Sequence, residues 1–270
     1  MMPPSATARM FVMAGIPATS PWLLCPRPNP KAALRLFCFP YAGGAAGTFH
    51  RWAEYLPASV ELCAVQLPGR GSRLLEPPFK RLPLLVQAAG KELLSYLDKP
   101  SSFFGHSMGA TIGFELARFL SKEHNIKLAH LFVSGRRAPH LIDNEPMTYH
   151  LEEPEFLEEL RRLNGTPKDV LNHPELMQLL LPALRADFEM IQTYVYIPGS
   201  PLDCSITAFR GLEDKNVTRE QIAAWRQQTT ARFSLQMFSG DHFFIHEAQT
   251  FLLETLSLEL QRLVSTLSHR

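Results

Sequence analysis

The pentapeptide at 105–109, Gly-His-Ser-Met-Gly, constrains this chain more than any other feature of its sequence. It follows an apolar run at 102–105 that predicts a short strand, and it precedes a helical pattern at 110–120. A strand that turns directly into a helix forces the serine between them into a strained backbone, and glycines on either side relieve the crowding. The pattern therefore predicts a nucleophile elbow that exposes the Ser107 hydroxyl at the carboxyl end of a strand.

Apolar runs that predict strands alternate with helical patterns along most of the chain. The predicted strands cover 34–39, 60–67, 102–105, 129–134, 206–209 and 233–238. The predicted helices cover 49–56, 84–97, 110–120 and 220–228, and a last helix lies within 248–267. This alternation predicts a mostly parallel, doubly wound sheet, and with the elbow it predicts the α/β-hydrolase fold. We assign residues 31–270 to one domain of this fold and residues 1–30 to an N-terminal tail.

The alternation stops between about residues 140 and 200, where the sequence is helical and predicts no strand. Pro154 and Pro174 each stand where a helix can begin, because the first helical position needs no backbone N–H. Pro182 falls later in the second helix and is expected to interrupt it. We interpret the stretch as a helical lid inserted late in the sheet. The sequence leaves open whether this lid is mobile or a rigid cap.

A serine nucleophile needs a base, and in this fold the order along the chain is serine, acid, histidine. His242 follows the last predicted strand, in a loop that can carry its imidazole over Ser107. His106 is adjacent to the serine and should point away from its hydroxyl, and His246 begins the final helix. A metal site on His242 and His246 lacks a third ligand at workable spacing. We therefore predict His242 as the base.

Two neighbouring carboxylates, Glu213 and Asp214, follow the predicted strand at 206–209 and both fit the acid position by chemistry. Asp241 is next to the histidine, and adjacent side chains diverge, so it is not expected to orient the ring. We predict Asp214 as the acid.

The loop at 40–44, Pro-Tyr-Ala-Gly-Gly, follows the first core strand, where this fold supplies the second N–H of its oxyanion hole. Its glycines allow the backbone to approach a substrate closely. A phosphate-binding loop is the weaker interpretation, because the stretch has neither a Gly-Lys-Ser/Thr ending nor a G-x-G-x-x-G register.

Composition excludes several other classes of protein. The net charge is +1, so no bulk attraction to nucleic acid or to an anionic membrane is expected. No apolar run reaches the roughly 18 residues that suggest a membrane span. The four cysteines form no CxxC pair, and we interpret them as free thiols in a reducing compartment, the cytoplasm. They are Cys25, Cys38, Cys63 and Cys204.

Five motifs resemble those of type II thioesterases, the stand-alone editing enzymes of polyketide and nonribosomal-peptide synthesis. They are Phe-Pro-Tyr-Ala-Gly-Gly at 39–44, Gln-Leu-Pro-Gly-Arg-Gly at 66–71 with Arg73 shortly after, the elbow at 105–109, Gly-Leu-Glu-Asp at 211–214, and Gly-Asp-His-Phe at 240–243. The chain is also similar to the medium-chain thioesterase of animal fatty acid synthase. The resemblance runs from about residue 34 into the last helix.

The resemblance implies a Ser107, His242 and Asp214 triad. It also implies an oxyanion hole made by the N–H groups of Met108 and Ala42, with Tyr41 as the neighbouring possibility. The implied substrate is an acyl thioester on the phosphopantetheine arm of an acyl or peptidyl carrier protein, with no metal or other cofactor. Lys215 follows Asp214 where the family often has proline.

Four arginines follow predicted strands whose carboxyl ends should meet at the Ser107 edge of the sheet. They are Arg70, Arg73, Arg136 and Arg137. We expect them to face the anionic phosphopantetheine and the acidic carrier that the resemblance implies. The alternative is that they pair with carboxylates of the lid, such as Asp143, Glu145, Glu152 or Glu153.

Two other functions fit the same residues. One is an esterase, lipase-like enzyme or peptidase of this fold acting on a small free substrate. The other is a non-catalytic module that binds carriers, which an intact triad argues against.

Overall fold

Seven strands form one sheet in the computed structural model, which describes residues 20–143 and 145–268. They are β1 (Leu23–Leu24), β2 (Leu34–Phe39), β3 (Val60–Val65), β4 (Ser101–His106), β5 (His130–Ser134), β6 (Ser205–Gly211) and β7 (Phe233–Phe238). Their order across the sheet is β1-β3-β2-β4-β5-β6-β7, and every neighbouring pair except β1–β3 is parallel. The predicted mostly parallel, doubly wound sheet is confirmed.

Helices cover both faces of this sheet. The α-helices are α1 (Leu82–Leu93), α2 (Met108–His124), α3 (Glu153–Leu163), α4 (Lys168–Leu171), α5 (Pro174–Gln192), α6 (Arg219–Ala223), α7 (Phe244–Glu247) and α8 (Gln249–Ser268). Short 3-10 helices span Ala46–Glu54, Gly71–Arg73, Leu94–Tyr96 and Ala224–Gln228. No helix within the described residues is long and apolar enough to cross a membrane.

Alternating side chains of the inner strands point into two separate apolar cores, as a sheet covered on both faces requires. Phe37 and Phe103 pack edge to face on the side of α1 and α2, with ring centroids 5.6 Å apart. Leu36 and Phe104 point the other way, into the core that α8 covers. The central strands therefore have no solvated face, which explains why they read as continuous apolar runs.

Within the stretch at 1–30 that the sequence assigns to a tail, Leu23 and Leu24 form a strand of the sheet. Leu23 and Leu24 pair antiparallel with β3, and Trp22 is buried in the core. The Arg73 guanidinium lies 4.1 Å from the Trp22 ring centroid, in a cation–π contact. Backbone pairing with the edge of β3 orders this Pro-rich stretch, and residues 1–19 lie outside the described part of the chain.

Three helices, α3, α4 and α5, form an insertion between β5 and β6, in the region where the sequence predicts a lid. Pro154 and Pro174 stand in the first turns of α3 and α5, as predicted. Pro182 does not interrupt α5, which runs through it from Pro174 to Gln192. The helix loses one hydrogen bond at this proline, but its buried face packs along its whole length and keeps it continuous.

Candidate active site

Ser107 occupies the turn between β4 and α2 in a backbone conformation that L-residues rarely adopt, with φ 52° and ψ −115°. The flanking glycines are required because a side chain at either position would collide with neighbouring backbone. A Cβ on Gly105 would lie 2.1 Å from the carbonyl oxygen of Gly109, and a Cβ on Gly109 would lie 2.1 Å from that of Phe39. The predicted nucleophile elbow is therefore the geometry of this turn.

His242 lies between Ser107 and Asp214. Its Nε2 is 3.1 Å from the Ser107 Oγ, and its Nδ1 is 2.9 Å from the Asp214 Oδ2. The Asp214 side chain is fully buried, and its Oδ1 accepts the backbone N–H of Asn216 at 2.8 Å and of Val217 at 3.2 Å. These bonds fix the carboxylate so that its second oxygen faces the imidazole. The structure thus brings together the three residues that the sequence singles out.

The alternative acids have other partners. Glu213 is exposed, and its Oε2 accepts the backbone N–H of Gly240 at 2.5 Å. Asp241 accepts the backbone N–H of Phe243 at 2.7 Å and the Asn164 amide at 3.1 Å. Neither carboxylate contacts the ring of His242.

The alternative histidines also have other partners. His106 is buried, and its Nδ1 lies 2.9 Å from the Ser134 hydroxyl. Burial holds the pKa of His106 well below its usual range, so this ring is neutral near pH 7. It packs beside His242 with ring centroids 5.2 Å apart. His246 Nε2 lies 3.1 Å from the Tyr41 hydroxyl.

A cavity opens over Ser107 between the sheet and the insertion. Its volume, counted together with the solvent space at its open mouth, is about 1140 Å³. Its apolar wall comes largely from the insertion: Leu160, Leu163, Leu184, Phe188 and Ile191. Ala42 and Met108 line the cavity beside Ser107. Within the described residues, neither of their N–H groups donates to a protein acceptor. Both donors are therefore free to bind an oxygen of a molecule in the cavity.

The structure separates the four arginines into two pairs. Arg70 is buried in a bidentate ion pair with Asp187, and Arg73 is buried against Trp22 and Glu76. Neither lines the cavity, contrary to the sequence-based expectation, because each guanidinium is buried against its own partners in the protein.

Arg136 and Arg137 do line the cavity. Arg137 forms an ion pair of 2.7 Å with Asp143, the kind of pairing that the sequence analysis left as the alternative. The Arg136 side chain has no hydrogen bond or ion pair within the described residues, and burial lowers its pKa to about 10. It remains charged at neutral pH.

Asp187 lies outside the motifs from which the candidate site residues were predicted. This carboxylate lies on the face of α5 that also carries Leu184, Phe188 and Ile191, at helical spacing. An acidic residue within an apolar helical stripe indicates a buried charge, so the sequence pattern could have identified Asp187.

The fold and the Ser107–His242–Asp214 geometry define a serine hydrolase of the α/β-hydrolase fold. Residues 34–259 match the family described as "Thioesterase domain". The chain belongs to this thioesterase family.

Two curated relatives cover almost the whole chain. It is 44% identical to the gramicidin S biosynthesis protein GrsT of Aneurinibacillus migulanus, over 92% of this chain and 97% of the relative. It is 45% identical to a protein of Brevibacillus parabrevis named linear gramicidin dehydrogenase LgrE, over 90% of this chain and 93% of the relative. Among solved structures, the type II thioesterase BorB from the borrelidin biosynthetic cluster superposes with a TM-score of 0.82. It is 37% identical, covering 88% of this chain and 97% of BorB.

Proposed function

We propose that this thioesterase hydrolyses acyl groups from the phosphopantetheine arm of an acyl or peptidyl carrier protein, as an editing enzyme of polyketide or nonribosomal-peptide synthesis. The observation that carries the proposal is the hydrogen-bonded series Ser107–His242–Asp214 at the floor of a cavity with an apolar wall. The nucleophile, the base and the oxyanion donors are all protein groups, so the proposed reaction needs no metal or other cofactor.

In the first half of the reaction, the Ser107 Oγ attacks the thioester carbonyl carbon while His242 Nε2 takes the hydroxyl proton. Asp214 holds the imidazole by its Nδ1–H and stabilises the positive charge that forms on the ring. The oxyanion accepts hydrogen bonds from the N–H groups of Ala42 and Met108. The C–S bond then breaks, and His242 gives its proton to the departing thiolate, leaving an acyl-serine.

The second half repeats these steps with water in place of the serine hydroxyl. His242 takes a proton from water as the oxygen attacks the acyl carbon, and it returns the proton to the Ser107 Oγ as the ester bond breaks. The products are the free acid and the regenerated enzyme.

Two observations support a carrier protein as the partner that presents the substrate: the names of the relatives and the charge at the cavity. Two relatives belong by name to gramicidin S biosynthesis and to the borrelidin biosynthetic cluster. Arg136, with Arg137 beside it, offers a charged group at the cavity for the phosphate of the arm. We place the protein in the cytoplasm, where carriers are loaded.

The name of one relative refers to a dehydrogenase. We do not extend that activity to this chain, because the loop after β2 lacks the G-x-G-x-x-G register that cradles a dinucleotide.

The test is hydrolysis of a panel of acyl groups loaded on carrier proteins, compared with free oxoesters of the same acyl groups. The expected result is faster hydrolysis of the carrier thioesters, lost in Ser107→Ala although that variant folds. Labelling of the wild type by a fluorophosphonate, absent in the variant, would identify the nucleophile. Preference for free oxoesters would favour the esterase alternative, and undiminished hydrolysis by Ser107→Ala would overturn the mechanism.

A further inference from the structure

Asp187 is a buried carboxylate on a helix whose neighbouring side chains are apolar. It is 1% exposed and lies in the last third of α5, between Leu184 and Phe188, which line the cavity. Burying a carboxylate is costly unless the charge is paired and its oxygens accept hydrogen bonds. The groups that bind the Asp187 carboxylate therefore indicate why a charge is buried at this position.

Both oxygens of Asp187 bind groups outside the insertion. Oδ2 accepts from Arg70 Nη1 at 2.5 Å and Oδ1 from Arg70 Nη2 at 2.7 Å, which makes a bidentate pair. Oδ2 also accepts the backbone N–H of Gly43 at 2.8 Å. One carboxylate thus joins α5 to the loop after β3 and to the loop after β2.

The loop after β2 is held at the residue next to the proposed oxyanion donor. Gly43 follows Ala42 and has a left-handed backbone, with φ +77°. Leu184, one turn before Asp187, packs against it so closely that a Cβ on Gly43 would lie 2.5 Å from Leu184 Cδ2. Arg70 Nη1 also lies 3.4 Å from the carbonyl oxygen of Gly44. The plane of the Ala42–Gly43 peptide therefore depends on α5 and Arg70.

Arg70 is itself fixed by the Gln-Leu-Pro-Gly-Arg-Gly motif at 66–71. Gln66 Nε2 donates to the carbonyl oxygen of Arg70 at 3.0 Å, and Gln66 Oε1 accepts the N–H of Ala46 at 3.2 Å. The motif, which the proposed reaction does not use, therefore holds the backbone that carries the Arg70 guanidinium.

We propose that Asp187 is a positioning residue for the oxyanion hole. Together with Arg70 it holds the loop at 40–44 so that the N–H of Ala42 meets the developing oxyanion, and it does so only while α5 is seated on the sheet. The proposal rests on the hydrolysis at Ser107 proposed above and adds a link between the insertion and catalysis.

The chain offers a matched control on the same helix. Glu189 also ties α5 to the body of the protein, with its oxygens 3.3 Å from Lys80 Nζ and 3.7 Å from Arg81 Nη2, but it does not reach the loop at 40–44. Asp187→Asn should lower kcat about 10–100-fold and leave KM within about threefold of the wild type. Removing one oxyanion donor typically lowers kcat by about 10²–10³-fold, and a donor that is only displaced should lower it less. Glu189→Gln should stay within about twofold of the wild type. Equal effects of the two variants would overturn the proposal.

A second readout separates positioning from partial unfolding. An alkylboronic acid forms a tetrahedral anion on the serine, whereas a pantetheine amide of the same acyl group binds without reacting. Asp187→Asn should weaken the boronate by the same factor as kcat/KM and leave the amide within about threefold. A damaged fold would weaken both equally, and that result would contradict the proposal.

If Asp187→Asn does not fold, the double variant Arg70→Met/Asp187→Leu takes its place, because a buried ion pair can often be replaced by apolar groups without loss of stability. It should fold and still lose at least tenfold in kcat. A folded double variant with wild-type kcat would overturn the proposal. Failure of the proposed function is distinguishable, since it appears as hydrolysis that survives Ser107→Ala.

Discussion

Asp214 and Glu213 are neighbours in the sequence, but their carboxylates bind different parts of the loop that carries His242. Asp214 Oδ2 contacts the His242 ring, whereas Glu213 Oε2 accepts the backbone N–H of Gly240. In the proposed mechanism the first orients the base, whereas the second contacts the turn before it. A Cβ on Gly211 would lie 2.2 Å from the carbonyl oxygen of Asp241, so the two loops are in backbone contact.

These different contacts predict that substitutions of Asp214 and Glu213 lower kcat by different factors. Asp214→Asn should lower kcat by about 10⁴-fold, because an amide at this position stabilises the wrong tautomer of the imidazole and no longer its positive charge. Glu213→Gln keeps an acceptor for Gly240 and should lose less than about tenfold. Release of free thiol from a short acyl thioester measures both. Similar losses, or the reverse order, would mean that Asp214 is not the acid.

Arg136 provides a test of carrier recognition. Its charge has no protein partner within the described residues and faces the cavity, so Arg136→Gln should raise KM for an acyl-carrier substrate about 3–10-fold and flatten its salt dependence. Hydrolysis of a short soluble thioester should stay nearly unchanged. The control is Arg161→Gln, which removes an exposed cation of α3 that pairs with Glu158. An equal loss on both substrates would assign Arg136 to the fold or the site itself.

The insertion should not move as one unit. In α3 only Phe156 and Leu160 are buried, whereas α5 has eight buried residues and the Asp187 contacts. Amides of α3 should therefore exchange with solvent faster than those of β4, and amides around Asp187 should exchange nearly as slowly as the strand. Hydrogen exchange followed by mass spectrometry measures this. Protection of α3 equal to that of β4 would indicate a rigid cap.

Stability should fall in mild acid because of His130. Burial lowers the pKa of His130 from 6.5 to about 4, with Arg232 acting in the same direction. Between these values the unfolded chain binds a proton that the folded chain does not, so stability is present above pH 6.5 and is lost as the pH falls toward 4. The loss from one such group is on the order of 3 kcal/mol.

His130→Gln should reduce this dependence while keeping a hydrogen bond to Thr207, which His130 Nε2 contacts at 2.9 Å. Urea unfolding at several pH values measures how the free energy of unfolding changes with pH. The control is His124→Gln, because His124 is exposed. If the slope of His130→Gln matches that of the wild type, His130 does not account for the acid sensitivity.

The sequence alone determined the features that depend on short stretches of chain. The elbow at 105–109 identified Ser107 because a strand, a strained serine and two glycines are all local. Six of the seven strands followed from apolar runs, because β2 to β6 are buried on both faces and the half-buried edge strand β7 still carries an apolar run. The chain order of the fold then pointed to Asp214 and His242.

Only the tertiary structure decided which partners distant residues take. Arg70 and Asp187 are 117 positions apart, and neither local pattern tells that their charges meet in the interior. Leu23 and Leu24 form a strand because the edge of β3 is there to pair with them, and Pro182 stays in a helix because packing outweighs one lost hydrogen bond. The energy of a buried charge, a strand edge or a helix defect depends on contacts from elsewhere in the chain, which the local sequence does not contain.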